Sequence, residues 1–222
     1  MFPDDRILGR ANVLPEHGVG CPGRQWQHVV LSIPPVEITM ESLESQLLVA
    51  VPQLSDANFY RTVVLMIQHD EQGAAGLVLN RPSEILLTDV CQELLGTSIE
   101  SQEPLYLGGP VEGPMLAIHQ NDEFADDDIT DSLYLASQRS TLEGLIHSPD
   151  TSAQYFTGYS GWGAGQLEAE LDSGGWFVTP LSSDLLFGPH EDLWRAVTQR
   201  IGEQILTASL DGYQVPTAPE LN

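Results

Sequence analysis

The chain has 222 residues, 41% of them hydrophobic, and a formal net charge of −24 from 32 acids against 8 bases. That is enough apolar chain for one domain with a real core. All eight bases are arginine, so Schiff-base, P-loop and kinase-type lysine chemistry are excluded, and the acidic excess disfavours nucleic acid and anionic membranes, whose phosphates it repels.

Residues 1–39 hold five prolines and four glycines without a sustained period. They are expected to form a disordered or loosely attached extension; translation starting at Met40 is the other reading. The opening MFPDDRILGR places acids where a signal peptide needs a basic segment. No run of eighteen apolar residues occurs. The expectation is therefore a cytoplasmic protein that does not enter a membrane. Cys21 and Cys91 lie far apart, with no Cys-x-x-Cys or Cys/His ligand spacing. This argues against a zinc or dithiol centre and fits a reducing compartment. Cys91 reads as a small buried hydrophobe, with redox sensing as the sharper alternative.

Gln46–Ala50 reads as a strand. Pro52–Tyr60 is a turn-rich loop in which Asp56 and Asn58 are expected to hold backbone N–H groups. The next stretch, TVVLMIQHDEQGAAGLVLNRP from Thr62 to Pro82, organises the chain. Its two apolar runs, Val63–Ile67 and Ala74–Leu79, flank a short acidic turn. Unbroken apolar runs need cover on both faces, which places them as central strands of a hairpin. Gly73 is expected in the left-handed conformation, closing a type I turn with a bulge, and Pro82 is expected to end the pairing. Thr88 should cap a helix with Asp89 in its first turn, Val90, Cys91, Leu94 and Leu95 facing inward, and Gly96 at its end.

Leu105–Leu107, Met115–His119 and Leu133–Leu135 read as strands. Asn121–Asp131 between them is rich in aspartate, yet an EF-hand loop needs glycine at its sixth position, and counting from Asp126 that place is Asp131. It reads as a solvated acidic loop. Thr141, after Ser140, should cap a helix to about His147, stopped by Pro149. Gln154–Gly158 is a strand expected to end at a glycine-rich turn, GYSGWGAG, before a helix from about Gly165 carrying Leu167, Glu168, Glu170 and Leu171. Trp176–Thr179 is a strand, Asp184–Phe187 a short turn, and His190–Ile205 a helix with Leu193, Trp194, Val197 and Ile201 on one face. The tail from Asp211 is expected to fray. Helices interspersed with short strands, several of them antiparallel neighbours, make this an α+β chain with one domain over residues 40–210.

Three stretches, LLVAVPQLSDANFYRTVVLMIQHDEQGAAGLVLNRP, YLGGPVEGPM with Ile118-His119, and GYSGWGAGQLEAEL, occur here in order. Trp176, Leu186-Phe187, Trp194, and Gly202 with Ile205-Leu206 follow them. From Leu47 to Leu206 this order resembles the AlgH/YqgE family of uncharacterised bacterial proteins. The resemblance implies a single compact domain with a mixed, bifurcated, partly barrel-like sheet flanked by helices. It implies no established activity, and only a regulatory association with exopolysaccharide genes.

No catalytic signature is complete. The nucleophile elbow needs Gly-x-Ser-x-Gly, and Gly158-Tyr159-Ser160-Gly161 is followed by Trp162. A dinucleotide turn needs Gly-x-Gly-x-x-Gly, and Gly161-Trp162-Gly163-Ala164-Gly165 is followed by Gln166. A helix start there could attract an anion, but Glu168 and Glu170 crowd it. The glycines more simply permit a tight strand-to-helix turn with Trp162 packed inside. Gly109, in the Gly108-Gly109-Pro110 turn, makes a weak phosphate site without a lysine. Asn80-Arg81 follows a buried strand, where polar side chains often line clefts; alternatively Arg81 pairs with a carboxylate. His69 and His119 end buried strands and would make an acid/base or metal pair if adjacent, but read more simply as satisfied structural residues. Two functional readings follow. One is a non-enzymatic regulatory or protein-interaction module with a protein partner, no direct nucleic-acid contact and no cofactor or metal. The other is an enzyme or small-ligand binder whose pocket gathers Asn80, Arg81, Gly109, Ser160, Trp162 and Gln166.

Overall fold

The computed structural model describes residues 42–211, except 93–95, 97–98, 100, 149 and 188–191. These all belong to one unit, Met40–Asn222. The expectations for residues 1–39, Leu94, Leu95, Pro149, His190 and the tail past Asp211 lie outside the described residues.

The Thr62–Pro82 stretch forms the expected hairpin of β2 (Val63–Asp70) and β3 (Gly73–Val78). With β1 (Gln46–Ala50), β6 (Val111–His119), β7 (Asp127–Thr130), β8 (Leu133–Ala136), β9 (Ala153–Gly163) and β10 (Trp176–Pro180), it builds a sheet of order β10-β1-β2-β3-β9-β6-β8-β7. Both hairpin strands are therefore interior. Their apolar runs are unbroken for the reason inferred from sequence: successive residues enter different cores. Leu47, Val49, Val63 and Leu65 pack on one side with Leu193, Trp194, Val197 and Ile201. Leu48, Ala50, Val64 and Met66 pack on the other with Trp162, Leu167 and Trp176.

The sheet forks on β9. One edge of β9 pairs with β6 along most of its length. Its other edge is shared: Ser160–Gly163 pair with β3, while Phe156 and Thr157 pair in parallel with β5 (Pro104–Leu107). A short strand, β4 (Pro82–Leu86), pairs with β5. The sheet is thus mixed and bifurcated, and it curls as a half-barrel. The Ser45 hydroxyl donates to the Ile129 carbonyl, joining the entrance of β1 to β7 at the far end of the strand order.

Five helices are described: α1 (Leu87–Val90), α2 (Arg139–Ile146), α3 (Gln166–Asp172), α4 (Ser183–Phe187) and α5 (Leu193–Asp211). Among these residues no helix is long and apolar enough to cross a membrane. α5 lies where its apolar stripe predicts, and the Trp194 indole donates to the Ala50 carbonyl at 2.7 Å, pinning it to β1. A third core, under α1 and α2, holds Leu105, Met115, Leu142, Leu145, Tyr155 and the buried Cys91. Burial raises the Cys91 thiol pKa, so it is a protonated apolar filler at neutral pH.

Several local expectations are corrected. The glycine-rich stretch GYSGWG is not a turn but the second half of an eleven-residue strand. Gly158, where β9 passes from β5 to β3, has a φ of +69°, and an added Cβ there would meet the Val111 carbonyl. Gly73 has positive φ, but at +142°, not in the left-handed helical region. An added Cβ would meet the Trp162 carbonyl of β9, so close approach is what requires glycine there. The bulge instead falls between Met66 and Gln68. Pro82 opens β4, as its first residue, where no ladder N–H is needed. Thr88 does not cap α1; its hydroxyl donates to the Ser101 carbonyl and accepts from the Ser101 N–H. Nor does Thr141 cap α2, which starts after Gln138. Asp184–Phe187 lies in α4 rather than in a turn.

Candidate functional site

The six residues singled out from sequence do not share one cavity. Asn80 is a latch: its Oδ1 accepts from the Val63 N–H at 3.0 Å and its Nδ2 donates to the Arg61 carbonyl at 2.9 Å. Arg81 donates to the carbonyls of Ala57 and Tyr60, and among the described residues it has no carboxylate partner. Its five-donor fork suits a loop whose carbonyls converge. Arg81 thus fastens the 52–60 loop and Asn80 its exit into β2, while Asp56 sets the loop's turn by accepting from the N–H groups of Asn58 and Phe59.

Gly109 and Ser160 meet where β9 crosses the turn after β5. An added Cβ on Gly109 would strike the backbone of Tyr159 and Ser160. The Ser160 hydroxyl is fully buried and donates to the Gly108 carbonyl at 3.1 Å. It has no histidine neighbour among its bonds and acts as a strut. Trp162 and Gln166 meet at Glu170 on α3. One Glu170 oxygen accepts from the indoles of Trp162 (3.0 Å) and Trp176 (2.9 Å), and the other from the Gln166 amide (3.0 Å). Phe59 packs against both indole rings. Glu170 therefore does not guard a helix end against anions; it is the hub of an aromatic cluster. Sequence reasoning missed this because the partners lie on three elements.

The histidines are not neighbours. His69 pairs across the sheet with Ala74, and Ala74 with Trp162 near the end of β9, whereas His119 pairs with Ala153 at its start. His69 Nδ1 accepts from the Leu43 N–H at 3.0 Å, which assigns the ring proton to Nε2, and Nε2 donates to Glu168 at 2.8 Å. That bond, first among the causes, holds the Glu168 carboxyl below the usual carboxylate range. His119 is fully buried, and burial pushes its imidazole below the usual value. Its Nδ1 accepts from the Asn121 N–H, while Nε2 has no partner among the described residues.

The acidic loop is more structured than expected. It holds a 3-10 turn (Asp122–Phe124) and β7. Asp126 reaches across to α2 and accepts from the backbone N–H groups of Ser137 and Gln138 and from the Thr141 hydroxyl, each of the three at 2.7 Å. Desolvation would raise its pKa, but these bonds outweigh it and lower it. Asp126 is thus the cap that α2 lacks in its own sequence. Among the described residues, no group of three or more His, Cys, Asp or Glu side chains could hold a metal ion.

Asn80 also borders a cleft of about 640 Å³, a size that suits a small ligand. Leu79 after β3 and the buried Leu185, Leu186 and Leu193 of α4 and α5 are among its lining residues. Its walls carry Asn80, Tyr106 of β5 and the first residues of β9, Ala153 to Tyr155. Glu103, Asp150 and Asp192 line it at exposed positions, and no arginine or lysine is among its described lining residues. Of the six sequence candidates only Asn80 lies on its wall. Gln154 is the informative side chain: Nε2 donates to the Leu79 carbonyl at 2.9 Å, but the buried Oε1 accepts nothing among the described residues. Burial, then the Glu103 carboxylate, holds the Tyr106 phenol above its usual pKa, and the same two causes lead for Tyr155. Both are neutral hydroxyls at pH 7.

Comparison with known proteins adds the family. Residues 47–206 match the family described as DUF179, AlgH-like. A UPF0301 protein of Stenotrophomonas maltophilia is 39% identical over 173 residues, covering 74% of this chain and 92% of that protein. One from Chlorobium limicola is 36% identical over 185 residues, covering 80% and 94%. Among solved structures, the AlgH protein of Pseudomonas aeruginosa superposes with a TM-score of 0.62 at 31% identity, over 80% of this chain and 96% of that one. A protein of Corynebacterium diphtheriae gives 0.61 at 26%, over 72% and 88%. By family match, by relatives and by fold, the chain belongs to the AlgH-like (AlgH/YqgE) family.

Proposed function

We propose that this protein is a non-enzymatic binding module that engages a basic protein partner in the cytoplasm. The observation that carries this reading is the charge: 32 acids against 8 bases and no lysine. Such a field raises the encounter rate with cations and repels nucleic acid and anionic lipid. The chemistry-bearing side chains support it, because they serve the fold. The Ser160 hydroxyl is spent on the Gly108 carbonyl, and His69 has both ring nitrogens bonded. A protonated, buried Cys91 suits a reducing compartment. The regulatory association implied by the family resemblance fits a module that acts by contact.

The test is binding of a labelled arginine- and lysine-rich peptide to the full chain across a salt series. Affinity should fall steeply as salt rises, and a labelled DNA duplex should not bind at any salt. No peptide binding at low salt, or binding indifferent to salt, overturns the proposal. The cleft beside Asn80 favours a second reading, in which a small ligand is also bound.

A further inference from the structure

We infer that Arg61, where the 52–60 loop enters β2, anchors a binding site for a monocarboxylate with an apolar body. The site is separate from the acidic surface and takes the opposite charge, so it stands or falls apart from the basic-partner reading. Three observations carry it. The Arg61 guanidinium lies over two rings from different elements, Tyr60 at 5.1 Å and Trp194 of α5 at 5.2 Å. The Trp194 indole is itself fixed to the Ala50 carbonyl. Contact with ring faces holds the group in place and spends none of the N–H donors of its fork. The fork is indeed unspent: Arg61 is exposed, and among the described residues its side chain has no hydrogen-bond acceptor and no carboxylate partner, in a chain of 32 acids and 8 bases. Finally, the backbone is set for this placement. Arg61 has a φ of +53°, a region a non-glycine residue keeps only where its surroundings fix it, and the Asn80 amide does so through the Arg61 carbonyl.

The neighbours favour an anion. Arg81 donates to the Tyr60 carbonyl, a neutral acceptor, so its own charge is not cancelled there. Asp56, the acid of the same loop, is committed to the N–H groups of Asn58 and Phe59. Tyr60 is 47% exposed and offers apolar surface beside the fork. A planar fork matches a carboxylate through two parallel N–H···O bonds. A phosphate would match it too, but a dianion pays more to approach a chain of net charge −24. A metal cation would be repelled by both arginines. A free organic acid and a carboxylate on a protein partner share the favoured chemistry.

The full chain, isotopically labelled, would be titrated by NMR with phenylacetate, phenylacetamide and phenyl phosphate. Expected are saturable shifts of the Tyr60 and Arg61 amides and the Trp194 indole N–H with phenylacetate, at a dissociation constant of about 1 mM. The neutral amide and the phosphate should each bind about five-fold more weakly or worse. Arg61→Gly suits the positive φ while removing the fork, so the thermal midpoint should stay within a few degrees and binding should fall about ten-fold or more. Arg61→Lys keeps the charge without the fork and should weaken binding about three-fold or more. A further arm compares an acetylated Gly-Glu-Gly amide with its glutamine counterpart. A glutamate peptide that binds at least as tightly as phenylacetate assigns the site to a protein carboxylate, and weaker binding assigns it to a free acid. Equal binding of acid and amide, tighter binding of the phosphate, shifts that avoid Tyr60, Arg61 and Trp194, or unchanged binding in Arg61→Gly overturns the inference. If Arg61→Gly fails to fold, Arg61→Lys decides, and parental affinity in that variant overturns it.

Discussion

Two polar regions of this molecule lie at opposite ends of β9 and are finished differently. At the C-terminal end, Glu170, Gln166 and the two indole N–H groups satisfy one another, and His69 uses both ring nitrogens. At the N-terminal end, Gln154 keeps a buried oxygen without a donor among the described residues, beside the cleft. The first region has the residue types that attract attention in a sequence, yet its geometry is closed and serves stability. The second is made of unremarkable residues, and it borders the cleft. Chemistry-bearing residue types therefore mislead unless their bonds are counted.

The contrast can be broken hardest at the closed end. Glu170→Ala leaves two buried indole donors without their acceptor and should cost about 2–4 kcal/mol, read as a drop in the urea midpoint. Glu170→Gln keeps an acceptor and should lose about half as much. His69→Phe removes the acceptor for the Leu43 N–H and the donor to Glu168, for about 1–3 kcal/mol. It also tests the pH dependence. Because the Glu168 carboxyl is held low in the folded state, its contribution is present above the ordinary glutamate range and is lost as pH falls through the lowered value. NMR titration of the Glu168 carboxyl should therefore show a rise toward the ordinary value in the variant. At the open end Gln154→Leu should shift stability by no more than about 1 kcal/mol, since the lost bond to Leu79 is offset by removing an unpaired acceptor. A large loss there would show that the two ends are not different in kind.

The hairpin, β1, β10 and the α5 stripe were legible because burial on two faces, or on one helical face, writes a period into neighbouring residues. Leu47 and Leu48 face different cores, and no local alternation disguises them. The course of β9 was not legible, since glycines that allow a strand to change partners look like glycines that make a turn. The cap of α2 was hidden for another reason: Asp126 lies 12 residues before Gln138, whose N–H it holds. Neighbours in sequence could not supply it. The cleft left a weaker trace still. Asn80 lies in its lining, but a Gln154 oxygen with no donor among the described residues is a property of what surrounds it and has no signature in the chain.

The fork on β9 also governs how the molecule comes apart. Because this strand is hydrogen-bonded to β3, β5 and β6 at once, neither branch can detach while the other keeps its own interior intact. Opening of the central strands should therefore be all-or-none, with the amide protons of Tyr155 to Trp162 the last to exchange with deuterated solvent, while the rim strands β7 and β10 fray locally and exchange earlier.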